Sequence, residues 1–233
     1  LSFCSAGDDR EAPLSGSDDL PAISRPSFGD AEGSVPTNVS DRQIAGMSAD
    51  LFGEEVSFAE ITKADRNLAR VLLRELERDN GQLTGLRVQL RQSMLAARPE
   101  VPLERGLAIA ELRLAWLLTA EQQGDAACRE VTEATFTNAA PVMREDWQEF
   151  ERSLAAELAL AGELSFSGSF AEQSSIPDWA YEDAGTAINL SADAVRTAHA
   201  NPSSAVRCTA MIALHEAMLA RRDEATPAAL SAL

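Results

Sequence analysis

Few residues in this 233-residue chain have the type and spacing that chemistry needs. Histidine, the side chain best suited to proton transfer near neutral pH and a frequent metal ligand, occurs at His199 and His215 alone. Asp178, Glu182 and Asp183 stand close enough along the chain to complete a His/carboxylate constellation. The stronger signatures are missing. His215-Glu216 has no second histidine at the spacing a zinc protease requires, and no Cys/His cluster has structural-zinc spacing. Neither a glycine-rich phosphate loop nor a nucleophile elbow occurs. These residues imply no metal and no cofactor, and they weigh against catalysis.

A second pattern points to binding. Arg66, Arg70, Arg74 and Arg78 follow one another at i+4, which places them on one face of a helix. A guanidinium fork matches a carboxylate bidentately, so such a row suits an acidic partner surface or the chain's own acidic segment. With Glu75, Glu77 and Asp79 interleaved, it equally suits a solvated, self-balanced face. Elsewhere acid dominates: 37 Asp and Glu against 20 Lys and Arg give a net charge of −17. Nothing there offsets phosphate repulsion, which excludes a nucleic-acid partner, and charge alone would not hold the chain to an anionic membrane. No segment reaches the roughly 18 consecutive apolar residues that a transmembrane helix needs.

The arginine row belongs to the stretch around which the chain is organised, Ser57 to Arg98. Ser57-Phe58-Ala59-Glu60 fits a capping box. Ala69, Leu76, Leu83, Leu90 and Ala97 recur every seven residues, and Leu72, Leu86 and Met94 widen them into one apolar stripe. Asn80-Gly81 and Gly85 are weak points, since each glycine costs roughly 1 kcal/mol against alanine in a helix. Because the stripe keeps its phase across them, the expectation is one long helix, kinked at most, in preference to a hairpin. Pro99 closes it.

Residues 1–56 carry no sustained period. Asp8-Asp9, Asp18-Asp19 and the prolines at 13, 21, 26 and 36 predict an extended, disordered acidic arm rich in Ser, Gly and Asp. Arg42 to Phe52 reads as a short docking helix near its end. Beyond Pro99, helices are expected from Leu103 to Thr119 (the central, mostly apolar one), after Gly124-Asp125, around Trp147 to Leu158, from Asp178 to Ala200, from Asn201-Pro202 to Arg222, and after Thr226-Pro227. Residues 163–177 form the one long internal loop, the best loop candidate for binding. The sum is an all-α protein: six to eight helices in an irregular bundle over 57–233, with one long helix, preceded by the arm.

Leu1-Ser2-Phe3-Cys4 resembles the lipobox of bacterial lipoproteins. Leu1 and Ser2 match that family's choices, whereas Phe3 stands where a small residue is usual. The resemblance covers four residues. It implies a signal peptide already removed, an acylated Cys4, outer-membrane sorting from Ser5, and a periplasmic location. With Cys4 acylated, Cys128 and Cys208 remain as a pair in an oxidising compartment, where a disulfide is the expected state; two separate buried thiols are the alternative. The function this predicts is a non-enzymatic accessory or scaffolding protein of the cell envelope. It would touch other envelope proteins or subunits through its arm and long helix, and the membrane through its lipid. Two alternatives stand beside it. One is a periplasmic helical enzyme or ligand-binding protein using residues 163–183 with His199 and His215. The other is a structural subunit without lipid, in which Cys128 and Cys208 stay reduced.

Overall fold

Ser40 and Gln43 cap the first helix with a reciprocal capping box, and Ser57 and Glu60 repeat the device at the next one. The computed structural model describes residues 39–79, 81–97, 100–137, 140–164 and 175–233. Among these the fold is all-α, with eleven helices and no strand. They are α1 (Asp41–Phe52), α2 (Phe58–Ala64), α3 (Arg66–Arg78), α4 (Thr84–Ala97), α5 (Leu103–Gln123), α6 (Asp125–Thr132), α7 (Glu145–Leu160), α8 (Asp178–Ile188), α9 (Ala192–Ala200), α10 (Arg207–Ala220) and α11 (Pro227–Ser231).

The expected long helix is three helices. Asp65 ends α2 and starts α3: its backbone is extended (φ −143°, ψ 100°), and its carboxylate accepts from the amides of Asn67 and Leu68. That cap competes with helix continuation and wins. α3 in turn stops at Asp79, where Gly81, at φ +82°, donates its N–H to the Leu76 carbonyl in a six-to-one closure. The apolar stripe itself is real, because Leu72, Leu76, Leu86, Leu90, Met94 and Ala97 are all buried. Its phase survives the break between them because α3 and α4 pack on each other and face one core.

A second correction concerns where the helical body begins. Met47, Leu51 and Phe52 of α1 are at most 2% exposed and join the same core as α3 and α4. Residues 40–56 therefore belong to the domain and not to the arm. The expected arm up to residue 38, Cys4 included, lies outside the described residues.

α5 is the axis, the longest helix described and apolar on most faces. Ile109, Leu112 and Trp116 enter the core built from α1 to α7, to which α10 adds Met211 and Ile212, while Leu107 and Ala110 enter a second core formed with α8, α9, α10 and α11. Two further boundaries differ from expectation. The span from Asp178 to Ala200 is divided by Asn189 in the left-handed region (φ 56°). After Asn201-Pro202 the chain first makes a turn, with the Asn201 side chain accepting from the Ser203 amide, and α10 starts only at Arg207. No helix among the described residues is long and apolar enough to cross a membrane.

Candidate functional site

On α3 the buried positions are Leu68, Ala69, Leu72, Glu75 and Leu76. At 100° per residue the opposite side is centred on Arg70 and Arg74, with Arg66 and Arg78 beside them. All four arginines are exposed. Glu75 and Asp79 hold Arg78. Arg66, Arg70 and Arg74 have no ion pair among the described residues, so the self-balancing that Glu75 and Glu77 offered on paper is confined to the end of the row. Lys63, also exposed, stands one turn before it on α2. The result is a cationic strip on a protein of net charge −17.

The two cysteines meet. Cys128 on α6 and Cys208 on α10 are paired as a disulfide, with Cα atoms 6.0 Å apart, within the range that such a bond spans. The histidines part company. His215 is fully buried on α10, with Nδ1 2.7 Å from the Met211 carbonyl one turn back, and reaches no cleft. His199, near the end of α9, has Nδ1 3.4 Å from the Tyr181 hydroxyl. These two line a cleft of about 510 Å³ with Asp178, Arg196 and Ala232. Glu182 and Asp183 do not line it, and Asp183 pairs with Arg221 instead. Burial pushes the His199 pKa down, and the Arg113 and Arg207 charges push it the same way, against a backbone hydrogen bond with Ala232. Its neutral imidazole faces Tyr181, whose hydroxyl pKa is raised by burial, with Arg196 opposing and Asp178 adding to the rise. Of the loop expected to complete this cleft, residues 165–174 lie outside the described residues.

Most arginines that line clefts are already occupied. Arg196 is bound by Asp178 at 2.7 Å and Asp193 at 2.9 Å. A cleft of about 270 Å³ between α1, α4, α7 and the 140–143 segment carries Arg87, Arg91 and Arg152, and each has its own carboxylate: Asp50, Glu151 and Glu149. Neither cleft offers a cation that lacks a carboxylate. Among the described residues no group of three His, Cys, Asp or Glu is gathered as a metal would need.

What sequence reasoning missed is a pair of arginines with no carboxylate among the described residues. Arg113, on α5, is 5% exposed, and Arg207 opens α10. Both Nη2 atoms reach the Thr132 carbonyl at the end of α6, at 3.4 and 3.5 Å. Burial, with the Arg207 charge adding to it, pulls the Arg113 pKa down to about 10. The signal was in view: Arg113 is the one basic residue inside the apolar run Leu107 to Leu118.

No protein-family model, curated protein or solved structure matches this chain.

Proposed function

We propose that this chain is a non-enzymatic accessory or scaffolding protein of the bacterial cell envelope, which docks an acidic partner on the arginine face of α3. The observation that carries the reading is that Arg66, Arg70 and Arg74 project opposite the buried face of α3 without carboxylate partners among the described residues, in a chain of net charge −17. Like charges at i,i+4 destabilise a helix by about 0.2–0.5 kcal/mol per pair, and the row holds two such pairs among these three residues alone. An acidic partner would reverse that cost. Charge complementarity of this kind sets encounter rate and register more than raw affinity, while the acidic remainder of the surface repels a partner presented in any other orientation. In this reading acylated Cys4 tethers the domain to the outer membrane, and the partner is another envelope protein or assembly subunit.

The test is site-specific photo-crosslinking in the native cell, with the photoreactive residue at Asn67, between the arginines. A discrete adduct is expected, lost at least tenfold in the charge reversal Arg66→Glu/Arg70→Glu/Arg74→Glu. The folded state should tolerate that reversal within about 0.5 kcal/mol, as exposed positions usually do. An adduct that persists unchanged in the reversed variant would sink the docking face. Intact mass of the natively expressed protein tests the tether separately, through added acyl mass on Cys4.

A further inference from the structure

We infer that Cys128–Cys208 is an exchangeable disulfide, in which Cys208 is the sulfur that a dithiol attacks from the surface and Cys128 is the buried partner that leaves and can reclose the bond. This activity rests on α6 and α10, not on the α3 docking face, and stands or falls independently of it.

The bond is open to the surface. Both cysteines line a small cleft of about 150 Å³ between α6 and the start of α10. Their settings differ. Cys128 is 5% exposed and belongs to the core of α1 to α7, whereas Cys208 is half-buried and only packs against that core. Disulfides reached by solvent are the labile, exchanging ones, and access decides which sulfur is attacked.

Charge at the cleft favours the reduced form of the same residue. Arg129, exposed and without an ion pair among the described residues, lines it beside both cysteines. Arg207 also lines it and directly precedes Cys208. Behind Arg207 lies Arg113, since both guanidinium groups reach the Thr132 carbonyl. Asp125 is the one acid on the lining, and it is exposed. Cys208 is the second residue of the 14-residue α10, whose N-cap, Val206, makes no side-chain hydrogen bond. Cations and a helix start both favour thiolate over thiol, and the helix effect fades beyond the first turn. Cys128, the fourth residue of α6, receives less of it.

The chemistry is thiol–disulfide exchange. A thiolate of the dithiol attacks Cys208 Sγ, the bond to Cys128 breaks, and Cys128 leaves with the electron pair and takes up a proton. The second thiolate of the dithiol then attacks its own partner sulfur and expels Cys208 as a thiolate. The protein disulfide is reduced to two thiols while the dithiol is oxidised to a disulfide. In reverse, the Cys208 thiolate attacks an oxidised partner and Cys128 closes the bond. The exchange acts on a junction, because Ala127 and Val131 of α6 lie in the first core while Ala210, Ala213 and Leu214 of α10 lie in the second.

The experiment uses the full chain with Cys4→Ser, so that no third thiol takes part, and dithiothreitol as the dithiol. In native buffer the reduction rate should be first order in dithiothreitol and change less than about twofold on adding roughly 1 M urea, because no unfolding is needed. Glutathione followed by an acid quench should leave its adduct on Cys208, at least about tenfold over Cys128, by peptide mass. In the reduced protein at pH 7, iodoacetamide should alkylate Cys208 at least about tenfold faster than Cys128. If the reduced chain does not stay folded, the first two readouts, taken on the oxidised protein, decide. Reduction that climbs with urea in step with unfolding, an adduct on Cys128, or equal alkylation of the two thiols in the folded chain overturns the assignment and leaves a purely structural staple.

Discussion

Arg91 on α4 grips Glu151 on α7 with two hydrogen bonds, 2.7 Å from Nε and 3.0 Å from Nη2. Both side chains are 13% exposed, and the Trp116 indole N–H donates to the same carboxylate at 3.1 Å. The guanidinium also lies over the Trp116 and Phe136 rings, 5.4 and 5.6 Å from their centroids. The pair therefore ties α4 and α7 to the central helix through a desolvated, bidentate contact. Breaking one side should be costly: Glu151→Leu leaves a buried guanidinium unpaired and is expected to destabilise by about 3–5 kcal/mol. Arg91→Met/Glu151→Leu should recover much of that loss. Chemical denaturation of the four proteins in the cycle measures it, and a single variant within 1 kcal/mol of wild type would refute the structural role.

The link between Cys128 and Cys208 spans a sequence separation of 80. In the chain-entropy account a loop of that size stabilises by about 4.5 kcal/mol, and delivered values usually fall in the range of about 2–4 kcal/mol. Reduction, or Cys208→Ser, is expected to lower Tm by several degrees and to loosen α6 from α10 before the α1–α7 core responds. The readouts are thermal unfolding with and without dithiothreitol, and hydrogen exchange over 125–132. Equal stability of the oxidised and reduced protein would show that packing alone holds this junction.

The helical class, the central role of Leu103 to Thr119 and most buried positions were open to sequence reasoning because the 3.6-residue period marks them wherever the core faces one side. Continuity was not. The heptad of Leu76, Leu83 and Leu90 reports which residues are inward, and a broken helix can keep its phase when its pieces pack on the same core. The breaks at Asp65 and Gly81 are local contests between a cap and one more helical turn, decided by a carboxylate and a left-handed residue that also occur inside helices. The Asp178–Ala200 span misled for the same reason, at Asn189. The α3 arginine face was readable from spacing, but the lack of ion pairs at Arg66, Arg70 and Arg74 among the described residues was not, since Glu75 and Glu77 had the right separation and only the folded rotamers show that Glu75 serves Arg78. Arg113 and Arg207, 94 positions apart in the numbering, carry no spacing signal at all.

His199 gives the fold an acid-sensitive point. Facing it are Tyr181 from α8 and the Arg113 and Arg207 charges from α5 and α10, with Arg196 on its own helix and Ala232 near the C-terminus. Burial and the two arginines hold its native pKa below the ordinary value of about 6.5, so the native state keeps the ring neutral where the unfolded chain would already protonate it. The unfolded state then binds more protons than the native one, and stability rises with pH through that window. The contribution is complete above the unfolded value and is lost as pH falls through the native one. Tm should therefore drop between pH 7 and pH 5.5 in the wild type, with a shallower slope in His199→Gln. Parallel slopes for the two proteins would mean that the proton uptake lies elsewhere, and a ring titration by NMR at or above 6.5 would contradict the buried, cation-flanked setting directly.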